Sequence, residues 1–263
     1  MARNYLEEMR FVIGHNESSN SYTSINLVDV ISIGLFNWYG ARALNIARQI
    51  VALNPSASQT ALAGADTPLY DQIISGNNNV WNSYYPGRSQ NDLNALRTFL
   101  DMTESHTVQD TQALIDSNDY SSQAKSRGIT DAACQIYFAD LYNQSPKQAG
   151  NILNAVGDKN NLSSLHSAAM NNPVMKKYVT RRNWTYDELA SWAGGGGGEV
   201  PETPPVQPPN GNGGGNLPPS AYAITDYILI QNGMLVIYSE DNPTGKVYMP
   251  VNNMFVPKEG NTE

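Results

Sequence analysis

Cysteine is almost missing from these 263 residues: Cys134 stands alone, which excludes an internal disulfide. It lies in the apolar, helix-like segment "DAACQIYFADLY", where a thiol fills core space. No paired His/Cys arrangement accompanies it, which speaks against a cysteine amidase or peptidase. Histidine is scarce as well. His15, His106 and His166 are dispersed and lack metal-ligand spacing, so neither a metal nor any other cofactor is expected. No apolar run approaches the roughly 18 residues of a membrane span. Basic residues are in deficit, 16 Lys+Arg against 24 Asp+Glu for a net charge of -8, which argues against a nucleic-acid partner. The opening "MARNYLEEMRFVIG" carries two glutamates beside two arginines and is too short in apolar character for a secretory signal. Synthesis in a cytoplasm is the expectation, with another route carrying the protein outward. The glycine run at 194–198 lacks the lysine and preceding strand of a phosphate loop.

What is present divides the chain in two. Apolar residues make up 40% of it, ordinary for a soluble protein, and the length allows one sizeable core plus an appendage. The stretch from Ala193 to Pro219 is Gly-, Pro- and Asn-rich, cannot bury a core, and reads as a flexible linker. Before it, residues 1–192 read as mostly helical. Tyr5, Leu6, Met9, Val12 and Ile13 recur at helical spacing after Asn4, an N-cap, with Gly14 a natural stop. Leu35 to Leu53 keeps the same period. "QNDLNALRTFLDM", a shorter "TQALIDS", "TDAACQIYFADLYNQ" capped by Thr130, "LSSLHSAAM" and "TYDELASW" add further helices. Residues 21–33, rich in Ser, Thr, Tyr, Val and Ile, predict a small hairpin. After the linker, residues 220–263 are dense in β-formers, with turns predicted at Asn232-Gly233 and at "DNPTG". No internal repeat is found.

The seam between the first helix and the hairpin raises the chemical question. There Glu17 sits alone after an apolar run, ahead of a polar Asn/Ser-rich stretch and an abrupt return to Ile31-Ser32-Ile33-Gly34-Leu35. Glu17-Ser18 followed by Ser32-Ile33-Gly34-Leu35-Phe36-Asn37 resembles the E-S … S-x-G-L-x-Q signature of soluble lytic transglycosylases and goose-type lysozymes. The wider set is Asn16-Glu17, Tyr22-x-Ser24, Asn26, Asp29, Ser32-Ile33-Gly34, Trp38 and Arg42-Ala43-Leu44. It is similar to the peptidoglycan-hydrolase module of lysins and tail proteins from phages of Gram-positive bacteria. Gln109-Asp110, "GITDAACQIYFADLYNQ" and Tyr178 with Arg181-Arg182 extend the resemblance over roughly residues 5–187. Asn37 stands where many relatives carry glutamine, keeping the amide but shortening its reach.

The resemblance implies an α+β, mainly α fold: a lysozyme-like helical domain with a small β-hairpin forming one wall of a sugar cleft. It implies cleavage of the peptidoglycan glycan strand. Breaking a glycosidic bond requires a proton on the leaving oxygen, and near neutral pH a carboxylic acid supplies it only from a partly dry setting. Glu17 is the expected general acid. Asp29, on the hairpin, is the candidate second carboxylate, positioning water or stabilising oxocarbenium-like charge. Without it, the sugar's N-acetyl group or 6-hydroxyl acts as nucleophile. Ser32 is expected to hydrogen-bond Glu17 or a sugar amide, and Gly34 to let backbone approach the substrate. Tyr22, Trp38 and Tyr39 can offer flat faces to sugar rings or simply fill the core. The Asn37 amide is a candidate for positioning the substrate, and Tyr137 and Asn143 are candidates for the far wall of the groove. Asp140 shares a helical stripe with Ala133, Ile136 and Tyr137 and must be paired if buried, with Arg42, Arg181 or Arg182 available.

The partner expected is bacterial peptidoglycan, with no membrane insertion. The C-terminal strands are expected to bind cell wall, or to anchor the enzyme to a virion tail or a homo-oligomer. A phage endolysin is the leading expectation and a virion-associated hydrolase the alternative. A non-catalytic glycan-binding or tail protein and a chitosan or chitin glycosidase stand as rivals.

Overall fold

Asn4 starts the first helix with a full capping box: its Oδ1 accepts from the Glu7 N–H while the Glu7 carboxylate accepts the Asn4 N–H. The computed structural model describes residues 3–28, 30–75, 81 and 88–195 of an N-terminal unit, together with strands at 227–231, 234–239, 242–251 and 254–257 of a C-terminal one. Helix α1 spans Tyr5–Ser18 and buries Tyr5, Met9, Val12 and Ile13, as their spacing predicts. Gly14 does not end it. The helix runs on to Ser18 and closes through Ser19 and Asn20, both left-handed, whose N–H groups reach the carbonyls of His15 and Gly14. Gly14 serves packing instead, since a Cβ there would collide with Asn20 Oδ1 and sit 3.3 Å from Leu35 Cδ1.

The expected hairpin is a three-stranded antiparallel sheet of two-residue strands, β1 (Ile25–Asn26), β2 (Ser32–Ile33) and β3 (Trp38–Tyr39). Ile25 pairs with Ile33, and Ile33 in turn with Trp38. The helix predicted from Leu35 begins later, as α2 (Ala41–Leu53). Gly34, Asn37 and Gly40 all have positive φ, so the chain turns twice before it can coil. Two helices with weak apolar period follow, α3 (Pro55–Leu62) and α4 (Leu69–Ser75), then α5 (Gln90–Leu100), which buries Leu96, Phe99 and Leu100.

The short piece predicted at "TQALIDS" belongs to a 24-residue helix, α6 (Thr103–Ser126). Its inward face is largely polar, with Ser105, Gln109, Asp116, Ser117 and Ser121 buried, which erases the apolar period. Helix α7 (Ala132–Gln144) is the core helix, buried from Ala132 to Leu141, and its cap is Asp131 rather than Thr130: the Asp131 side chain accepts from Cys134 N at 2.8 Å. Cys134 is fully buried, and burial pushes its thiol far above the usual range, as suits a core filler. Helices α8 (Pro146–Ala155) and α9 (Leu162–Asn171), a 3₁₀ turn (Met175–Tyr178) and α10 (Val179–Gly194) complete the unit. No helix among the described residues is long and apolar enough to cross a membrane.

The C-terminal unit holds a four-stranded antiparallel meander: β4 (Tyr227–Gln231), β5 (Met234–Ser239), β6 (Asn242–Val251) and β7 (Met254–Pro257). Gln231 pairs with Met234, while Asn232-Gly233, the predicted turn, lies outside the described residues. Ser239 pairs with Asn242 after an irregularity in β5, so most of the stretch read as a "DNPTG" turn lies within β6.

Candidate active site

Three pieces of chain meet at the end of α1. Ser18 Oγ donates to Leu35 O at 2.7 Å, which ties the helix end to the turn after β2. That turn is held from the other side by α6: the Leu35 N–H donates to Gln109 Oε1 at 2.8 Å, and Gln109 Nε2 donates to Tyr22 O at 3.1 Å. Gly34 has φ +72°, and a Cβ on it would stand 2.8 Å from Gln109 Cδ and closer still to Oε1. The glycine is therefore needed for the Gln109 clamp, and it is not among the residues that line the cleft. The last turn of α1 is fixed in this way, and Glu17 projects from it into the wall of a cleft of about 610 Å³, within the range of small-molecule sites.

Glu17 is only 16% exposed and takes both of its hydrogen bonds on Oε1. Asn143 Nδ2 donates at 2.9 Å and Arg181 Nη2 at 2.7 Å. Oε2 accepts nothing from the described residues. The Asn143 carboxamide is itself oriented, because the Tyr120 hydroxyl donates to its Oδ1 at 2.8 Å and so turns the NH₂ toward Glu17. Burial, with Asp116 nearby, pushes the Tyr120 hydroxyl far up, so it remains a donor.

Behind Glu17 lies Asp140, fully buried as its stripe predicts, and paired with Arg181 and Arg182. Arg181 reaches Oδ1 through Nε at 3.2 Å and Nη2 at 2.6 Å, and Arg182 Nη2 lies 2.7 Å from Oδ2. Asn16 adds a hydrogen bond to Oδ1 at 3.0 Å and another to Thr185 Oγ1 at 2.8 Å. Burial opposes the Asp140 charge, but the two guanidiniums more than offset it and hold the carboxyl below its ordinary range. The same two carboxylates raise Arg181 against its own desolvation. Two carboxylates and two guanidiniums thus form one balanced cluster, with Arg181 shared between its members.

Of the residues singled out in the sequence, the cleft brings together Glu17, Asn37, Trp38 and Asn143, with Tyr39 at its edge. Trp38 is buried, and its Nε1 donates to Asp116 Oδ2 at 2.7 Å, an acceptor that also takes Arg42. Asn37 carries a buried Oδ1 with no partner among the described residues. Asp29 lies outside the described residues. Tyr22 is not at the cleft; it stacks on His106 at 4.1 Å, and its hydroxyl accepts from Arg10 and donates to Asp110. Ser32 neither lines the cleft nor touches Glu17, whose two partners come from α7 and α10. Tyr137 is fully buried, its hydroxyl 3.0 Å from His166 Nδ1. Position along the helix explains this: Tyr137 lies in the stretch of α7 buried throughout, Ala132 to Leu141, whereas Asn143 stands in the last turn, where the helix emerges at the cleft.

The sequence marks Arg181, Tyr142 and Gln144 as parts of the resemblance, and Arg181 as a partner for Asp140, but singles out none of them, nor Asp119 or Tyr120, for the cleft wall. Tyr142 had a readable signal, since it is adjacent to Asn143; Asp119 and Tyr120 lie on the polar α6, whose phase the sequence hides. No protein-family model, curated protein or solved structure matches the chain.

Proposed function

We propose that the N-terminal unit is a lysozyme-like domain that cleaves the glycan strand of peptidoglycan, with Glu17 as the proton donor. The observation that carries this reading is the placement of Glu17: nearly buried in a cleft wall, held on one oxygen by Asn143 and Arg181, with the other oxygen unengaged. In this mechanism a bound strand displaces water from the cleft and the Glu17–Arg181 contact opens, Arg181 staying on Asp140. Glu17 passes its proton to the bridging oxygen as the C1–O bond breaks. Water or the sugar's own 6-hydroxyl then bonds to C1, either directly or by displacing the N-acetyl oxygen from a transient oxazolinium, and the proton this nucleophile loses returns to Glu17. Trp38, Tyr39, Tyr142 and Tyr178 give the cleft aromatic surface, and Asn37, Asn143 and Gln144 give it amides. Flat apolar faces among hydrogen-bonding groups suit pyranose rings that carry acetamido substituents.

The proposed setting is a phage of Gram-positive bacteria, with the domain acting as an endolysin or, in the alternative, from the virion tail. The C-terminal strands serve as a wall-binding or anchoring module.

One observation favours a second, non-catalytic reading: Glu17 is ion-paired, as a purely structural carboxylate would be. A gel containing Gram-positive cell walls decides between them. Clearing by the wild type and none by Glu17→Gln supports the enzyme. Clearing by both removes Glu17 as the acid, and clearing by neither supports a glycan-binding or tail role.

A further inference from the structure

From Lys159 to Tyr186 the chain carries five basic side chains and no carboxylate, although the whole protein has a net charge of -8. Three of the five are engaged: Lys159 by the Arg127 carbonyl, Arg181 and Arg182 by Asp140. The ammonium groups of Lys176 and Lys177 have no ion pair or hydrogen bond to any described residue, and both are exposed. They sit on the 3₁₀ turn Met175–Tyr178, pinned by the fully buried Met175. This turn is the lip of the cleft, because Tyr178 lines it and Arg181 stands one turn further on.

Beside the two lysines lies apolar surface left open. Val174, Tyr178 and Val179 are 39%, 48% and 44% exposed, three of the seven large apolar side chains exposed to that degree among the described residues. A cationic pair flanked by valines and a tyrosine, continuous with a glycan-sized cleft, asks for an occupant that is both anionic and partly apolar.

We propose that this lip binds the short acidic peptide branches carried by the strand in the cleft. Lys176 and Lys177 take branch carboxylates, while Val174, Tyr178 and Val179 cover alanine methyl groups. The inference rests on reading the cleft as a peptidoglycan site, and it adds a preference for peptide-bearing over bare strands. A branch attached to a strand already seated has a high effective concentration at the lip, so weak exposed ion pairs suffice. A phosphodiester polymer would use the lysines but leave the valines and the tyrosine uncovered.

The test is binding of the full-length chain, in a Glu17→Gln background so that strands are not consumed. Three polymers are compared: soluble peptidoglycan strands, the same strands stripped of peptide, and a teichoic acid. Peptide-bearing strands are expected to bind about tenfold more tightly than stripped ones, a ratio that falls toward one in Lys176→Gln/Lys177→Gln and returns in the double arginine variant. Raising the salt should shrink the same ratio. Equal binding of the two strands, no binding of either, an equal loss on both in the glutamine variant, or preference for teichoic acid overturns the inference. Turnover of stripped strands by the wild type, measured separately, reads the Glu17 assignment and not the lip.

Discussion

Arg181 and Glu17 stand 164 residues apart in the chain, yet the guanidinium Nη2 lies 2.7 Å from the carboxylate Oε1. The same nitrogen is 2.6 Å from Asp140 Oδ1, so the arginine that touches the candidate acid is anchored by a second, buried carboxylate. Removing Asp140 leaves Arg181 and Arg182 without their shared partner in a dry setting. Asp140→Asn is expected to cost about 3–5 kcal/mol in denaturant unfolding at neutral pH, the penalty of an uncompensated buried charge.

The pH dependence of that cost follows from the depressed carboxyl. Asp140 titrates lower in the folded protein than in the unfolded chain, so its contribution is complete above the unfolded pKa of about 4. It is lost as pH falls through the folded pKa. The stability gap between wild type and Asp140→Asn is therefore expected to be constant from about pH 5 to 7 and to narrow below about pH 4. A gap that widens on acidification would contradict the ion-pair assignment.

Asn143→Ala tests the positioning of Glu17. It removes one of two hydrogen bonds to Oε1 and leaves Tyr120 without its acceptor. A kcat lowered about 10- to 100-fold with KM nearly unchanged is expected on cell-wall substrate, because the loss falls on the orientation of the acid. An effect on KM alone would make Asn143 a ligand contact only.

Gly34→Ala addresses the Gln109 clamp. The added Cβ meets the Gln109 carboxamide and the backbone stays at φ +72°, so a loss of about 2–4 kcal/mol is expected in thermal or denaturant unfolding. In a Gln109→Ala background, already weakened by loss of the clamp, the same glycine substitution is expected to cost less, because the collision is gone while the left-handed backbone remains.

Much of this was readable in the residues, and the limits have physical causes. The α1 stripe, the inward face of Asp140 and the core position of Cys134 follow from helical period and from the cost of burying charge. The cleft-wall position of Glu17 could be anticipated because helix end, turn and glycine stand close together in sequence. Its partners could not, because Asn143 and Arg181 come from distant helices. Helix α6 escaped because its buried side is built of Ser, Gln and Asp. Tyr22 read as a ligand face, yet an aromatic beside the seam serves as well to stack on His106 and tie α1 to α6.

The most direct test is mass spectrometry of soluble fragments released from purified Gram-positive cell walls by the wild type and by Glu17→Gln. Disaccharide-peptide fragments, ending in a reducing or an anhydro sugar, are expected from the wild type and not from the variant. The same fragments from both proteins, or none from the wild type, would contradict the assignment of Glu17 as the acid that breaks the glycan strand.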